Sequence, residues 1–284
     1  MEKIIKRGGL FVVSTPVGNL KDITLRALDT LRQVDLIACE DTRITKRLLS
    51  AYGISKALIS YREQNRDQAG RKVIEALTEG RDAALVTDAG TPGISDPGGH
   101  LIALCIDEGI DVIPIPGPSS IITALVVSGL AIDRFVFFGF LPRGGKKREV
   151  ALEALASETK TSVIFESPAR VVQTLRQLHD RVGDRRAVLC REMTKIHEEV
   201  IRGPILEIIE AVEKKDRLRG EVVIVLAGGD QQNRAADSDA VKSEVLKAMA
   251  RHPGARAKEL AGLVSDRLGV PSSVVYSQII KIRK

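Results

Sequence analysis

The sequence predicts an α/β protein with two α/β domains and a small helical domain at the carboxyl end. Short apolar runs alternate with helix-period segments over residues 1–230, the pattern changes after Ser120, and only helical periodicity is left beyond residue 240. We therefore place a boundary near Gly117. The predicted organisation is a first domain at 1–117, a second at 118–230, a linker at 231–239 and a helical tail at 240–284.

Five apolar runs predict the strands of the first domain, and the segments between them have helical spacing. The strands are expected over residues 10–13, 35–39, 58–61, 83–87 and 111–115, and helices over 23–34, 70–79 and 101–108. Such alternation is typical of βα units on a mostly parallel sheet.

In the second domain, apolar runs and helix-period segments alternate less regularly, and this pattern predicts a mixed sheet. Strands are expected over 135–140, 162–165, 187–191, 199–202 and 222–226, and helices over 121–128, 149–156, 169–182 and 205–212. Residues 229–239 are polar and typical of a linker. The helical periodicity of the tail predicts helices over 241–250 and 255–268. Pro271 is suited to the first turn of a third helix. Residues 268–276 resemble the turn and second helix of a helix-turn-helix.

Charge and composition narrow the class of protein. The net charge is +6, and residues 231–284 hold 10 Lys and Arg against 5 Asp and Glu, so the tail carries most of the excess. A basic tail predicts either an anionic partner such as nucleic acid or a solubilising surface. An aromatic content of 3% argues against binding of single strands on stacking platforms.

The cysteines and the hydropathy pattern predict a cytoplasmic protein. Cys39, Cys105 and Cys190 lie far apart in apolar runs, which favours buried reduced thiols over a metal site or a disulfide. The first residues lack the apolar core of a signal peptide, and no apolar stretch approaches the length of a membrane span. We expect no metal and no membrane association.

Three loops rich in glycine and proline follow predicted strands. They occupy residues 14–19 (STPVGN), 87–93 (TDAGTPG) and 114–120 (PIPGPSS). Loops at the carboxyl ends of parallel strands line the ligand crevice of an open sheet. The sequence therefore predicts a small-molecule site built largely from backbone. Neither GxxxxGK[ST] nor GxGxxG is present, which disfavours a phosphate loop or a dinucleotide site.

Several charged residues that follow predicted strands allow two interpretations of their role. Asp88 suits binding of a ribose diol or an ammonium group, and equally suits capping of its turn. Glu40 and Asp41 beside Arg43 suit either a polar substrate or a helix cap. The basic cluster at 143–148 predicts contact with an RNA backbone or merely an exposed loop. His197, within a charged stretch at 191–199, is assigned no catalytic role.

Taken together, the motifs resemble one family. They are STPVGNLKDIT (14–24), EDTR (40–43), TDAGTPGISDPG (87–98), PGPSS (116–120), ESPAR (166–170) and REMTKIHEE (191–199). In this order they are similar to the small-subunit ribosomal RNA cytidine 2′-O-methyltransferases, a branch of the tetrapyrrole methylase superfamily. Tetrapyrrole-modifying relatives carry Gly-Asp-Pro where this chain has Thr-Asp-Ala-Gly, which favours the RNA branch.

The resemblance implies a cofactor, a substrate and a site. The cofactor is S-adenosylmethionine, bound in a cleft between the two α/β domains of a homodimer, and the substrate is a cytidine ribose in the decoding region of 16S ribosomal RNA, free or in the small ribosomal subunit. RNA contacts are expected at Arg143, Lys146, Lys147 and Arg148. By motif position the cofactor site comprises Val17, Asp88, Gly90, Thr91, Ser119, Ser120, Glu166, Ser167, Met193 and Ala227.

The expected reaction is direct displacement of a methyl group by a ribose 2′-oxygen. Catalysis then depends on alignment and on a base that takes the hydroxyl proton. Glu40, Glu166 and Lys195 are the candidates for that base. Two alternatives remain open: methylation of a tetrapyrrole or a protein side chain, and a non-catalytic RNA-binding ribosome assembly factor.

Overall fold

The computed structural model describes residues 7–215, 218–229, 231–268 and 272–283. The chain divides into two compact units, Met1–Gly228 and Gly229–Lys284. The larger unit contains two five-stranded sheets, and the smaller one is helical. This arrangement confirms the predicted fold class.

The first sheet is entirely parallel, with strand order β3-β2-β4-β1-β5. Its strands are β1 (Leu10–Val13), β2 (Leu36–Cys39), β3 (Ala57–Ser60), β4 (Ala83–Val86) and β5 (Val112–Ile115). The intervening helices are α1 (Leu25–Gln33), α2 (Thr42–Ala51), α3 (Arg66–Thr78) and α4 (Gly98–Asp107).

Helices cover both faces of this sheet, so its central strands are apolar throughout. All four residues of β2 are buried. Leu36 and Ala38 pack on the α3 and α4 side, and Ile37 and Cys39 pack on the α1 and α2 side. This alternation follows from the two-residue period of a strand.

The second sheet is mixed, as predicted, with strand order β6-β7-β10-β8-β9. Only the β6–β7 pair is parallel, and the other three pairs are antiparallel. Its strands are β6 (Phe135–Phe140), β7 (Thr161–Glu166), β8 (Arg186–Arg191), β9 (Glu199–Pro204) and β10 (Val222–Leu226). Its helices are α5 (Ser120–Ser128), α6 (Gly145–Ser157), α7 (Val171–Val182) and α8 (Ile205–Glu213).

The carboxyl-terminal unit has three helices and its own core. The helices are α9 (Gln231–Arg251), α10 (Ala257–Leu268) and α11 (Ser272–Arg283). Val245, Leu260, Val275 and Ile279 are among the side chains buried together between them. The predicted turn at 269–271, including Pro271, lies outside the described residues.

The expected linker and the basic segment both contain the start of a helix. The segment 231–239, expected as a linker, forms the first part of α9, because its polar sequence contains neither Gly nor Pro to end a helix. Four of the six residues of the basic segment at 143–148 are also helical, because α6 begins at Gly145. No helix in the described ranges combines the length and the apolar character needed to cross a bilayer.

Candidate active site

The first two predicted loops are joined by a two-residue backbone bridge. The N–H of Thr15 donates to the carbonyl of Gly90 at 2.9 Å, and the N–H of Gly90 donates to the carbonyl of Thr15 at 3.0 Å. The hydroxyl of Thr15 also donates to the carbonyl of Thr87 at 3.0 Å. Gly90 has φ of +85°, a conformation that glycine adopts without strain.

The third loop joins the same cluster through Thr91. Its hydroxyl donates to the carbonyl of Pro118 at 3.1 Å and lies 3.0 Å from the hydroxyl of Ser14. A Cβ at Gly117 would lie 2.9 Å from that of Ser14, so a larger residue would separate the two loops. The predicted convergence of the three loops is therefore confirmed.

A cavity of about 390 Å³ opens beside these loops. Its lining comes from the first sheet's loops and from the ends of β6, β7 and β10. Six of the expected cofactor residues contribute to it: Val17, Asp88, Ser120, Glu166, Ser167 and Met193.

The other four expected cofactor residues do not line the cavity. Gly90 and Thr91 hold the loops together, as described above. Ser119 caps α5 by accepting the N–H of Ile122 at 3.5 Å. Ala227 follows β10 and donates its N–H to the carbonyl of Arg186 at 3.0 Å. These residues position the surroundings of the cavity, and their contact with a cofactor stays a prediction.

Glu40 and Asp88 form the acidic side of the cavity. Burial, followed by the neighbouring carboxylates of Asp88 and Asp96, raises the pKa of Glu40, although the Arg62 guanidinium opposes this effect. Burial likewise raises the pKa of Asp88, although its Oδ1 accepts the N–H of Asp41 at 3.0 Å. A carboxylate with a raised pKa accepts a proton more readily than an exposed one.

Asp41 has the capping role that was one of its two predicted readings. Its Oδ1 accepts the N–H of Arg43 at 2.8 Å at the start of α2, and its Oδ2 pairs with the Arg43 guanidinium at 2.6 Å. The hydrogen bonds from Arg43 hold the pKa of Asp41 far below its usual range. Of the two adjacent carboxylates, Glu40 alone lines the cavity.

Glu166 is not suited to be the base, because every part of its carboxylate is engaged. Oε1 accepts from the Arg170 Nε at 2.7 Å and from the Ser167 N–H at 2.8 Å, and Oε2 accepts from the Thr174 hydroxyl at 2.7 Å. Its side chain has no exposed surface. The group therefore ties β7 to α7.

Lys195 does not fit the expectation of a neutral base either. Its Nζ lies 2.8 Å from Glu192 and 3.3 Å from Glu221. Burial acts to lower the pKa of Lys195, but the two carboxylates outweigh it and raise that pKa. The ammonium stays charged and holds the loop that presents Met193 to the cavity.

The basic segment divides into one buried and three exposed cations. Arg148, expected to bind RNA, is 3% exposed and donates to Gln177, Thr174 and the carbonyl of Pro142. It cannot reach an RNA backbone, and this expectation is wrong because α6 turns the side chain into the core. The side chains of Arg143, Lys146 and Lys147 are exposed, and their RNA contacts stay a prediction.

Sequence reasoning missed several residues of the cavity. Ser95 and Asp96 line it, and the Asp96 carboxylate accepts the N–H groups of Gly93 and Gly98 at 2.9 and 2.7 Å. Phe140, the last residue of β6, and Phe165, the last but one of β7, also line it, with ring centroids 5.4 Å apart. Their positions close to the ends of predicted strands could have indicated, from the sequence, that they line the cavity. The described ranges contain no group of three or more His, Cys, Asp or Glu side chains arranged for a metal ion.

One parallel sheet and one mixed sheet beside a loop-lined acidic cavity define a class of protein, and comparison with known proteins identifies that class. A family model described as Tetrapyrrole (Corrin/Porphyrin) Methylases matches residues 9–209. The chain belongs to this family, which confirms the resemblance found in its motifs.

Three similar curated relatives share one name, Ribosomal RNA small subunit methyltransferase I. The protein of Thermotoga maritima is 48% identical over 78% of this chain and 99% of its own length. That of Halalkalibacterium halodurans is 41% identical over 95% of this chain and 94% of its own. That of Bacillus subtilis is 40% identical over 95% and 93%, respectively.

Solved structures share the fold at low identity. Cobalt precorrin-4 methyltransferase superposes with a TM-score of 0.60 at 17% identity, covering 77% of this chain and 94% of the other. Uroporphyrin-III C-methyltransferase from Thermus thermophilus, solved with S-adenosyl homocysteine, gives 0.57 at 19% identity, covering 78% and 97%.

Proposed function

We propose that this protein transfers the methyl group of S-adenosylmethionine to the ribose 2′-oxygen of a cytidine in small-subunit ribosomal RNA. The observation that carries the proposal is the convergence of three loops beside an acidic cavity, in a chain 40–48% identical to relatives with a ribosomal RNA methyltransferase name.

The lining of the cavity fits this cofactor. S-adenosylmethionine supplies an activated methyl group on a positively charged sulfur, and it carries an ammonium group as well. Glu40, Asp88 and Glu221 offer carboxylates to these positive charges, and Phe165 and Val222 offer apolar surface to an adenine ring. The volume of about 390 Å³ lies within the usual range of small-molecule sites.

Glu40 is the base that the geometry favours. It lines the cavity, and burial raises its pKa, whereas Glu166 and Lys195 are held in ion pairs. Its role is to take the proton of the attacking hydroxyl as the oxygen–carbon bond forms. The surrounding residues align oxygen, carbon and sulfur, which is the larger contribution to the rate.

The RNA substrate is supported by the names of the relatives and by charge. Arg143, Lys146 and Lys147 are exposed cations on one short segment. We also propose that the protein works as a homodimer, and in the cytoplasm, where small ribosomal subunits are found. Light scattering of the purified protein tests the homodimer.

The decisive experiment combines calorimetry with mass mapping. We expect S-adenosylmethionine to bind, and ribosomal RNA from small subunits to gain one methyl group on a cytidine ribose. Binding without RNA methylation would favour a tetrapyrrole or protein substrate. RNA binding without cofactor binding would favour an assembly factor. Bare 16S RNA and intact subunits, assayed side by side, identify the substrate form.

A further inference from the structure

A second cavity lies on the other side of the first loop. It has a volume of about 240 Å³ and lies within the first α/β half of the chain. Thr87 and Asp88 line both cavities, whereas Val17 lines only the first, and its neighbours Pro16 and Gly18 line only the second. The loop at 15–18 therefore borders both cavities, and Thr87 and Asp88 connect them.

The walls of this second cavity match a nucleobase with its sugar. Leu20 and Ile44 are large apolar side chains, yet they are 49% and 40% exposed, and the buried Leu48 lines the cavity with them. Apolar side chains that flank an open slot are suited to hold the faces of an unstacked base. Thr15 and Asp88 contribute polar groups to the same lining.

A free cation lies at the edge of the same cavity. Arg47 of α2 is exposed and lines it, and in the part of the chain that the structure describes its guanidinium has no carboxylate or hydrogen-bond partner. By contrast, the neighbouring Arg43 is paired with Asp41 at 2.6 Å. An unpaired guanidinium beside an apolar slot is suited to a phosphate adjoining the bound nucleoside.

The size of the cavity favours part of a polymer over a complete small ligand. Sites that enclose a whole ligand usually measure about 300–1,000 Å³. This cavity is smaller than that range, so it accommodates one base and sugar while the connected chain stays outside.

We propose that this second cavity is the acceptor subsite, which holds the unstacked target nucleotide while Arg47 binds its adjoining phosphate. This inference rests on the proposed function and adds the place and the residues of substrate recognition. Because Asp88 lines both cavities, it places the bound sugar beside the first cavity, where the methyl donor would bind and Glu40 lies. Leu20 and Ile44 hold the base, and Arg47 sets the position of the strand.

The test uses two variants on the full-length protein, Arg47→Gln and Ile44→Glu, with small ribosomal subunits lacking the modification as the substrate. Arg47→Gln should raise KM for subunits about tenfold with kcat within twofold, since a charge-assisted phosphate contact is lost. Equilibrium binding to subunits should weaken equally, and its logarithmic salt slope should fall by about 0.7. Arg47→Lys should recover most of the affinity.

Matched controls lie on the opposite face of the first sheet. Arg71 and Lys72 of α3 are exposed adjacent cations, and Ile106 of α4 is an exposed apolar residue. Arg71→Gln/Lys72→Gln and Ile106→Glu should leave both KM and subunit binding unchanged. Calorimetry with S-adenosylmethionine should give wild-type affinity for every variant, which shows that each is folded.

The outcomes separate this inference from the proposed function. If the wild type methylates subunits while Arg47→Gln and Ile44→Glu keep its KM and subunit affinity, the acceptor subsite is elsewhere. If the wild type neither binds S-adenosylmethionine nor methylates RNA, the proposed function itself is overturned.

Discussion

Asp88 and Asp41 are linked across two strand ends: the Asp88 Oδ1 accepts the backbone N–H of Asp41 at 3.0 Å. The bond joins the loop after β4 to the start of α2, because β2 and β4 are neighbours in the sheet. It also keeps the carboxylate beside both cavities. The hydrogen bond of Asp88 and its negative charge can be tested separately, because a substitution can keep the acceptor oxygen and remove the charge.

Replacement of Asp88 by Asn should weaken cofactor binding without loosening the loop. The amide oxygen can still accept the Asp41 N–H, but the negative charge beside the donor's cationic groups is removed. We expect S-adenosylmethionine to bind about tenfold more weakly by calorimetry. Asp67→Asn, on an exposed side chain of α3, is the control and should bind normally. Normal binding by Asp88→Asn would exclude an electrostatic role for Asp88.

Replacement of Glu40 by Gln should reduce turnover about a hundredfold or more, because the proposed base is lost. Cofactor affinity should change far less. The wild-type rate should fall as the pH drops through the pKa of Glu40, which burial and neighbouring carboxylates raise above the ordinary value of 4.5. This acidic limb should disappear from the pH profile of residual activity in Glu40→Gln. A variant with undiminished turnover would remove Glu40 as the base.

Glu166→Gln should lower the free energy of unfolding. The substitution removes a buried charge and leaves the nearby Arg170 and Arg148 guanidinium groups without their counter-ion. Such a loss costs about 3 kcal/mol in the free energy of unfolding, measured by urea denaturation. The matched control is Glu213→Gln, whose ion pair with Arg176 is exposed and should cost less than about 1 kcal/mol. Equal costs for both variants would contradict the structural role of Glu166.

Gly18→Ala should disturb the contact between two loops that flank the cavity. An added Cβ would lie 2.7 Å from the carbonyl oxygen of Met193 and 2.4 Å from Cγ of Lys195. The side chain of Lys195 can move, but the Met193 backbone cannot without shifting its own side chain in the cavity. We expect at least tenfold weaker cofactor binding by calorimetry. Gly144→Ala, where a Cβ meets nothing within 4 Å, should bind normally.

The sequence predicts the fold well because periodicity and strand composition are local. The runs that form β2 and β4 are apolar on both faces, and that pattern alone predicts strands covered on both sides. The convergence of the three loops could also be predicted, because parallel strands end at the same edge of a sheet.

The roles of single charged residues could not be predicted, because they depend on contacts between distant segments. Glu166 and Arg148 look like functional charges in the sequence, and only the packing of α6 and α7 against β7 reveals them as a buried cluster. Likewise, Phe140 and Phe165 carry no motif, and their neighbouring positions follow from the pairing of β6 with β7.

The Thr15–Gly90 bridge joins segments separated by 75 residues along the chain. A short fragment that contains only one of these two loops lacks the bridge, so we expect binding of the proposed cofactor to require the folded α/β region. Since a ligand that binds only the native state stabilises it by mass action, we expect the proposed cofactor to raise the thermal stability of the chain.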